Sequence, residues 1–233
     1  FGNGNTTSSN VPLLINTLTN VSAIGAAPCA LSPLALKNDG TVMAWGSNGS
    51  GQLGNGTSTD SYIPVAVNSL TGITAVAVGA SHAMALKNDG TVWGWGSNFI
   101  GQLGIGNNTS VLSPVQINAL TNVKAIQLAS NTSAALKNDG SVWTSGANSN
   151  GELGNGTTLS SNVPVQLTSL SNVTAISAGN NFFLALKSNG TVWAWGRNNA
   201  GQLGNGTNVN SNVVVQVNSL SNVTSISAGG EFS

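Results

Sequence analysis

Asp39, Asp89 and Asp139 recur at intervals of 50 residues, each followed by Gly and each two residues after a lysine, Lys37, Lys87 or Lys137. Repeated carboxylates could share acid–base chemistry, and with Lys187 the lysines could ring one face with cations. The surrounding residues favour a plainer account. Each Asp sits in Asn-Asp-Gly, a turn in which Asp caps its own backbone, and the fourth copy reads Ser188-Asn189-Gly190. A position that accepts an amide for the acid is a turn former. The lysines then end solvated strands beside those turns, where exposed ion pairs contribute little.

The other reactive residues also fail to assemble a site. His82 is the sole histidine, so no His-based triad or His-rich metal site can be built, and its counterparts in later repeats are Thr132, Phe182 and Phe232. Cys29 is the sole cysteine, which excludes an internal disulfide framework and leaves the redox compartment open. Gly51-Gln52-Leu53-Gly54-Asn55-Gly56 resembles a phosphate cradle only superficially, because neither a helix nor an adjacent lysine follows. No catalytic, cofactor-binding or metal-binding residue is expected. Acceptor sequons for N-linked glycans occur at Asn55, Asn155, Asn189 and Asn205, with others at Asn5, Asn48, Asn108 and Asn172.

Composition narrows the partners. Apolar residues make up 40% of the chain, enough for a packed core, while charged residues make up 5% against about 25% in an average globular protein. Six basic side chains balance six acidic ones, so no basic stripe exists to neutralise phosphates and nucleic acid is not an expected partner. No apolar stretch is long enough to span a bilayer as a helix. The N-terminus lacks the charged and apolar regions of a signal peptide. Phe1-Gly2-Asn3-Gly4 already reads like the interior of a repeat, so a processed or excised chain is expected.

Positioning falls to the repeat itself. Gly51-Gln52-Leu53-Gly54, Gly101-Gln102-Leu103-Gly104, Gly151-Glu152-Leu153-Gly154 and Gly201-Gln202-Leu203-Gly204 keep a 50-residue period without a slip, which makes 1–233 a single repeat domain. Its units are approximately 1–52, 53–102, 103–152, 153–202 and a partial 203–233. One period predicts four short strands, at Ile73 to Val78, Ala83 to Lys87, Thr91 to Trp95 and Ser113 to Ile117, with Asp89-Gly90 as a hairpin signal. The fourth carries Pro12, Pro64, Pro114 and Pro164, with Val214 in the last copy, so it belongs on the outer edge of its sheet. Alternation places both tryptophans of a strand, such as Trp93 and Trp95, on one face as core between sheets. Ser145 stands where other copies have Trp and marks a weaker contact.

These features describe an all-β propeller of four-stranded blades. Ala83-Met84-Ala85-Leu86-Lys87-Asn88-Asp89-Gly90-Thr91-Val92-Trp93-Gly94-Trp95-Gly96-Ser97-Asn98, followed by Gly101-Gln102-Leu103-Gly104, resembles the repeat of the regulator of chromosome condensation family over about four and a half copies. The resemblance implies a propeller, most often of seven blades, and no single function. Outer strands are expected five times, from Val11, Ile63, Ser113, Val163 and Val213, and inner strands five times, from Val21, Ile73, Val123, Val173 and Val223. The complete hairpin occurs only four times. The chain is therefore either a fragment of a larger ring or an open arc whose sheet edges invite self-association.

Positions that break the repeat point to a binding face. Phe99-Ile100 is apolar where the other copies read Gly49-Ser50, Ser149-Asn150 and Asn199-Ala200. Its loop is expected on the same face as His82, Asn131, Asn181, Phe182 and Arg197, forming a protein-binding surface. The first repeat departs at Pro28-Cys29-Ala30-Leu31-Ser32-Pro33, which the sequence does not interpret. The expected function is a non-enzymatic, secreted or cell-surface module for protein interaction. Alternatives are a subunit of an extracellular filament or surface layer and a propeller-type enzyme inhibitor. Nucleotide exchange on a chromatin-bound small GTPase fits a chain of zero formal net charge poorly.

Overall fold

Each repeat folds around its Asn-Asp-Gly hairpin. Asp89 Oδ1 accepts bonds from the Thr91 amide at 3.0 Å and the Thr91 hydroxyl at 2.6 Å, and Gly90 has φ of 79°, so the turn closes on its own side chain. Those two bonds, the hydroxyl first, hold the Asp89 carboxyl below its ordinary pKa. Asn189 caps Thr191 in the same way at 3.2 Å and 2.7 Å, as the turn reading requires.

The computed structural model describes residues 2–27 and 30–232, and Phe1, Pro28, Cys29 and Ser233 lie outside the described residues. Blade 1 contains β1 (Val21–Gly25), β2 (Leu34–Lys37), β3 (Val42–Gly46) and β4 (Ser61–Ala66). Blade 2 contains β5 (Ile73–Val78), β6 (His82–Lys87), β7 (Val92–Gly96) and β8 (Val111–Gln116). Blade 3 contains β9 (Val123–Leu128), β10 (Thr132–Lys137), β11 (Val142–Gly146) and β12 (Ser161–Gln166). Blade 4 contains β13 (Val173–Ala178), β14 (Phe182–Lys187), β15 (Val192–Gly196) and β16 (Ser211–Gln216). Every blade is an antiparallel meander in chain order, with its fourth strand, which carries the proline in blades 1 to 3 and Val214 in blade 4, outermost. The first strands of successive blades lie against one another around a cavity of about 400 Å³, whose wall also includes residues 226–228. None of the described residues that line it is charged.

Two expected strands do not form. The segments beginning at Val11 and Val223 have no strand structure, because neither has the neighbouring hairpin that would complete its hydrogen-bond ladder. Gly2 is nevertheless buried beside Trp45 and Ile15, as Gly54 is beside Trp95 and Val67.

Strand alternation divides the core between blades. Ala83, Ala85 and Trp95, with Trp93 packed alongside, face blade 1, while Met84, Leu86 and Val92 face blade 3. In blade 4 Phe183 stacks on Trp195 with centroids 5.6 Å apart, and the Trp195 indole donates to the Glu152 carbonyl of blade 3 at 2.9 Å. The half-buried tryptophans Trp93, Trp143 and Trp193 lie beneath the ammonium groups of Lys87, Lys137 and Lys187 at 5.8, 4.5 and 5.4 Å, so those lysines serve cation–π contacts, and Lys87 also pairs with Asp89 at 3.9 Å.

Two further sets of bonds join the blades. Near the axis, Ala80 N–H donates to Ser130 O, Ser130 N–H to Asn180 O and Asn180 N–H to Gly230 O at 2.7 to 2.9 Å. At the rim, Gly56, Gly106 and Gly156 donate to Leu112 O, Asn162 O and Asn212 O in the outer strand of the following blade, and Gly4 donates to Tyr62 O. Each loop thus covers part of its neighbour's outer edge.

Candidate functional site

His82 pairs with Gly96 in the ladder, so the turn before β6 and the loop after β7 emerge at the same end of the blade. The same holds for Thr132 with Gly146 and Phe182 with Gly196. The long loops 97–110, 147–160 and 197–210 therefore share one face. A buried asparagine shapes each of them.

Asn48, Asn98, Asn148 and Asn198 are fully buried. Asn98 Oδ1 accepts the Leu103 amide at 2.9 Å, and its Nδ2 donates to the carbonyls of Asn107 at 2.8 Å and Thr109 at 3.2 Å. One side chain therefore ties the start, middle and end of a loop. Gln102 Oε1 adds a bond from the Ile100 amide at 3.0 Å, and in blade 3 the buried Glu152 carboxylate accepts both the amide and the side chain of Asn150 at 2.8 and 2.7 Å. The sequon at Asn48 is consequently not available in the folded chain, since its Nδ2 donates to Thr57 O and Thr59 O. Asn155 and Asn189 are exposed, whereas Asn55 and Asn205 are half-buried.

The seven residues expected on the binding face separate into groups. Phe99 is 70% exposed and Ile100 38% exposed. Asn131 and Asn181 are half-buried, and their carbonyls accept the amides of Ala147 and Arg197. The Arg197 guanidinium is held by the Glu231 carboxylate at 2.9 Å. His82 and Phe182 are 1% exposed and lie in the interior, a correction to their expected place on a contact surface.

The burial has a local cause. A Cβ on Gly79 would lie 2.2 Å from His82 Cε1, and one on Gly179 would lie 2.0 Å from Phe182 Cε1, so glycine three residues before the ring makes the space it fills. In blade 3 the ring is replaced by Thr132 and the glycine by Ala129.

His82 also explains the missing tryptophan. Its Nε2 is 3.0 Å from Ser133 Oγ, which donates to the Gln102 carbonyl at 2.7 Å, and Ser145 Oγ is 3.4 Å from the same carbonyl. Since the Ser133 proton is committed to Gln102, Nε2–H is assigned as the donor of the first bond. The contact expected to be weak is a polar one in place of an aromatic stack. Among the described residues Nδ1 has no partner, and burial lowers the His82 pKa from 6.5 to about 3. The unfolded chain therefore binds a proton that the folded chain refuses, so stability is full above pH 6.5 and falls as pH drops towards 3. By the middle of that window the loss should be on the order of 2 kcal/mol. Urea unfolding as a function of pH measures it, and His82→Phe with Ser133→Ala should flatten the acid slope. An unchanged slope would show that other groups carry it.

Among the described residues no group of three or more His, Cys, Asp or Glu side chains could hold a metal ion. No helix of the described residues is long and apolar enough to cross a membrane. The face offers shape and exposed apolar side chains at Phe99, Leu159 and Val209. A family model described as the RCC1-like domain matches residues 1–233.

The chain belongs to the RCC1-like domain family.

Relatives in this family differ widely in size and role. The chain is 39% identical to the human E3 ubiquitin-protein ligase HERC2 over 85 residues, 36% of this chain and 2% of the ligase. It is 36% identical to the ultraviolet-B receptor UVR8 of Arabidopsis thaliana over 88 residues, 35% of this chain and 19% of the receptor. The RCC1-like chain thus spans a small part of these relatives. Human WBSCR16 superposes with a TM-score of 0.80 at 23% identity, covering 91% of this chain and 56% of that one. Prp20p of Saccharomyces cerevisiae, described with its binding properties to Gsp1p and histones, superposes with a TM-score of 0.77 at 20% identity, covering 91% and 54%. These likenesses establish the fold. The expectation that set nucleotide exchange aside rests on the formal net charge of zero alone, and the fold does not bear on it.

Proposed function

We propose that this RCC1-like chain is a non-enzymatic module that binds a protein partner through its loop face, with Phe99 and Ile100 as the anchor. The observation that carries this reading is an exposed aromatic side chain on a loop fixed from beneath by buried Asn98. A rigid aromatic projection loses little entropy on binding. Leu159 and Val209, 76% and 72% exposed on the loops of blades 3 and 4, extend the apolar character of the face.

The test is affinity capture with the wild-type chain, Phe99→Asp and Tyr62→Asp, the last altering an exposed side chain on outer strand β4. A partner retained by wild type and Tyr62→Asp should lose at least about 30-fold in affinity with Phe99→Asp. Equal retention by all three chains would sink the proposal. The sparse charge and the sequons support an extracellular or cell-surface location, which a shift in mobility on glycosidase treatment of the native protein would test.

A second reading is self-association. Leu14 and Ile24 near one end are 80% and 67% exposed, and Leu220 and Phe232 near the other are 46% and 73% exposed. Sedimentation velocity distinguishes it: species that grow with concentration support assembly, and one constant species excludes it.

A further inference from the structure

The charged side chains divide between the two ends of the blades. Asp60, Glu152, Arg197 and Glu231 belong to the loop face, while Lys37, Lys87, Lys124, Lys137 and Lys187 stand at the hairpin end with Asp39, Asp89 and Asp139. A formal net charge of zero thus conceals a hairpin end with two more cations than anions. The excess lies in blades 3 and 4, because Lys37 pairs with Asp39 at 3.5 Å and Lys87 with Asp89 at 3.9 Å. We propose that the hairpin end of the junction between blades 3 and 4 is a binding site for the carboxylates of an acidic peptide segment, held by Lys124, Lys187 and Asn189. It lies at the opposite end from Phe99 and stands independently of the loop-face reading.

The sister turns supply the template. In blade 2 the Lys87 ammonium lies over Trp93 and pairs with Asp89 Oδ2, while Asp89 Oδ1 closes the turn on Thr91. In blade 4 Lys187 lies over Trp193 at 5.4 Å, and Asn189 Oδ1 closes the turn on Thr191. With Oδ1 so committed, the other head atom of Asn189 is Nδ2, a donor where Asp89 presents an acceptor. Lys187 therefore stands beside a second donor, and among the described residues it has no ion-pair partner. An ammonium and an amide N–H side by side are complementary to an incoming carboxylate. Lys187 is half-buried and Asn189 exposed, so solvent reaches both.

Lys124 brings another cation to the same junction. At the equivalent positions Ser22, Thr74 and Thr174 turn their hydroxyls back to Leu36 O, Leu86 O and Leu186 O of their own blades. Lys124 instead leaves blade 3, and its Nζ donates to Val173 O of blade 4 at 3.4 Å. Val173 is the ladder partner of Lys187, so the two lysines flank one strand end. The carbonyl takes one of three ammonium protons and neutralises no charge. Lys124 is exposed and also has no ion-pair partner among the described residues. Exposed pairs are individually weak, so the partner that gains most is a segment presenting several carboxylates at once. The cations cover one junction and form no track, which suits a short acidic segment and not a nucleic-acid backbone.

The experiment titrates the 233-residue chain, produced without glycans because a sugar on Asn189 would occupy the same nitrogen, into fluorescein-labelled octaglutamate at low salt, with anisotropy as readout. Wild type should bind, and affinity should fall as salt is added. Asn189→Asp restores the residue of the other three turns, and Lys124→Thr that of two other inner strands, so both side chains suit the fold. Each should weaken binding by at least about fivefold. Lys37→Ala, in blade 1 and already paired with Asp39, should change it by less than about twofold. Unaltered affinity in Asn189→Asp, or no binding by wild type, would overturn the proposal. So would displacement of the peptide by inorganic phosphate or a single-stranded oligonucleotide at a lower concentration than by unlabelled octaglutamate, which would assign the lysines to phosphate.

Discussion

Trp195→Ala should remove about 5 kcal/mol from the stability of the fourth blade, combining the cavity left by a buried indole with an unpaired carbonyl. The indole is fully buried, stacks on Phe183 and donates to Glu152 O of the preceding blade. Urea unfolding followed by circular dichroism reads the loss. Repeat arrays need not unfold in one step, so hydrogen exchange in β14 and β15 locates it. The third blade supplies a comparison, because Ser133 and Ser145 stand there in place of Phe183 and Trp195 and hydrogen-bond the equivalent carbonyl. Phe183→Ser with Trp195→Ser should therefore cost less than the two single changes summed. A single Trp195→Ala loss below about 2 kcal/mol would show that the core collapses around the gap.

Asn148→Ala should be nearly as damaging, by about 3 kcal/mol, because it strands buried groups rather than removing apolar area. Asn148 accepts the Leu153 amide at 2.8 Å and donates to Thr157 O and Leu159 O at 3.0 Å each. The Leu153 amide should lose about a hundredfold in exchange protection while amides in β5 and β6 keep theirs. Unchanged protection at Leu153 would mean that water takes over the role of the side chain.

This second effect lies where the sequence is hardest to read. The fold was legible because Asp-Gly turns, alternation and edge prolines recur in phase, so each copy confirms the others. Asn148 escaped notice because asparagine in a Ser/Gly-rich stretch reads as solvent-exposed. Its signal was available: asparagine holds positions 48, 98, 148 and 198 while the next two residues differ in every copy. His82 and Phe182 were placed on the surface for a related reason. Turn positions are usually exposed, and what contradicted that was glycine three residues earlier, replaced by Ala129 only where the ring gives way to Thr132. Phe99 was legible because its neighbours in sister loops are polar. The strands expected from Val11 and Val223 failed because propensity does not supply the missing half of a ladder.

The His82, Ser133 and Ser145 contact has a consequence for how such a gene can change. Periodic coding sequence tends to gain, lose and exchange whole units by misaligned recombination, and identical junctions would tolerate any order of units. Here the junction between the second and third units is keyed. Moving the third unit behind the fourth would set Phe182 rather than an imidazole donor against the Ser133 hydroxyl. Lineages that shuffle these units should thus carry the pair together or lose both, which gives the array an order that its repetition alone would not impose.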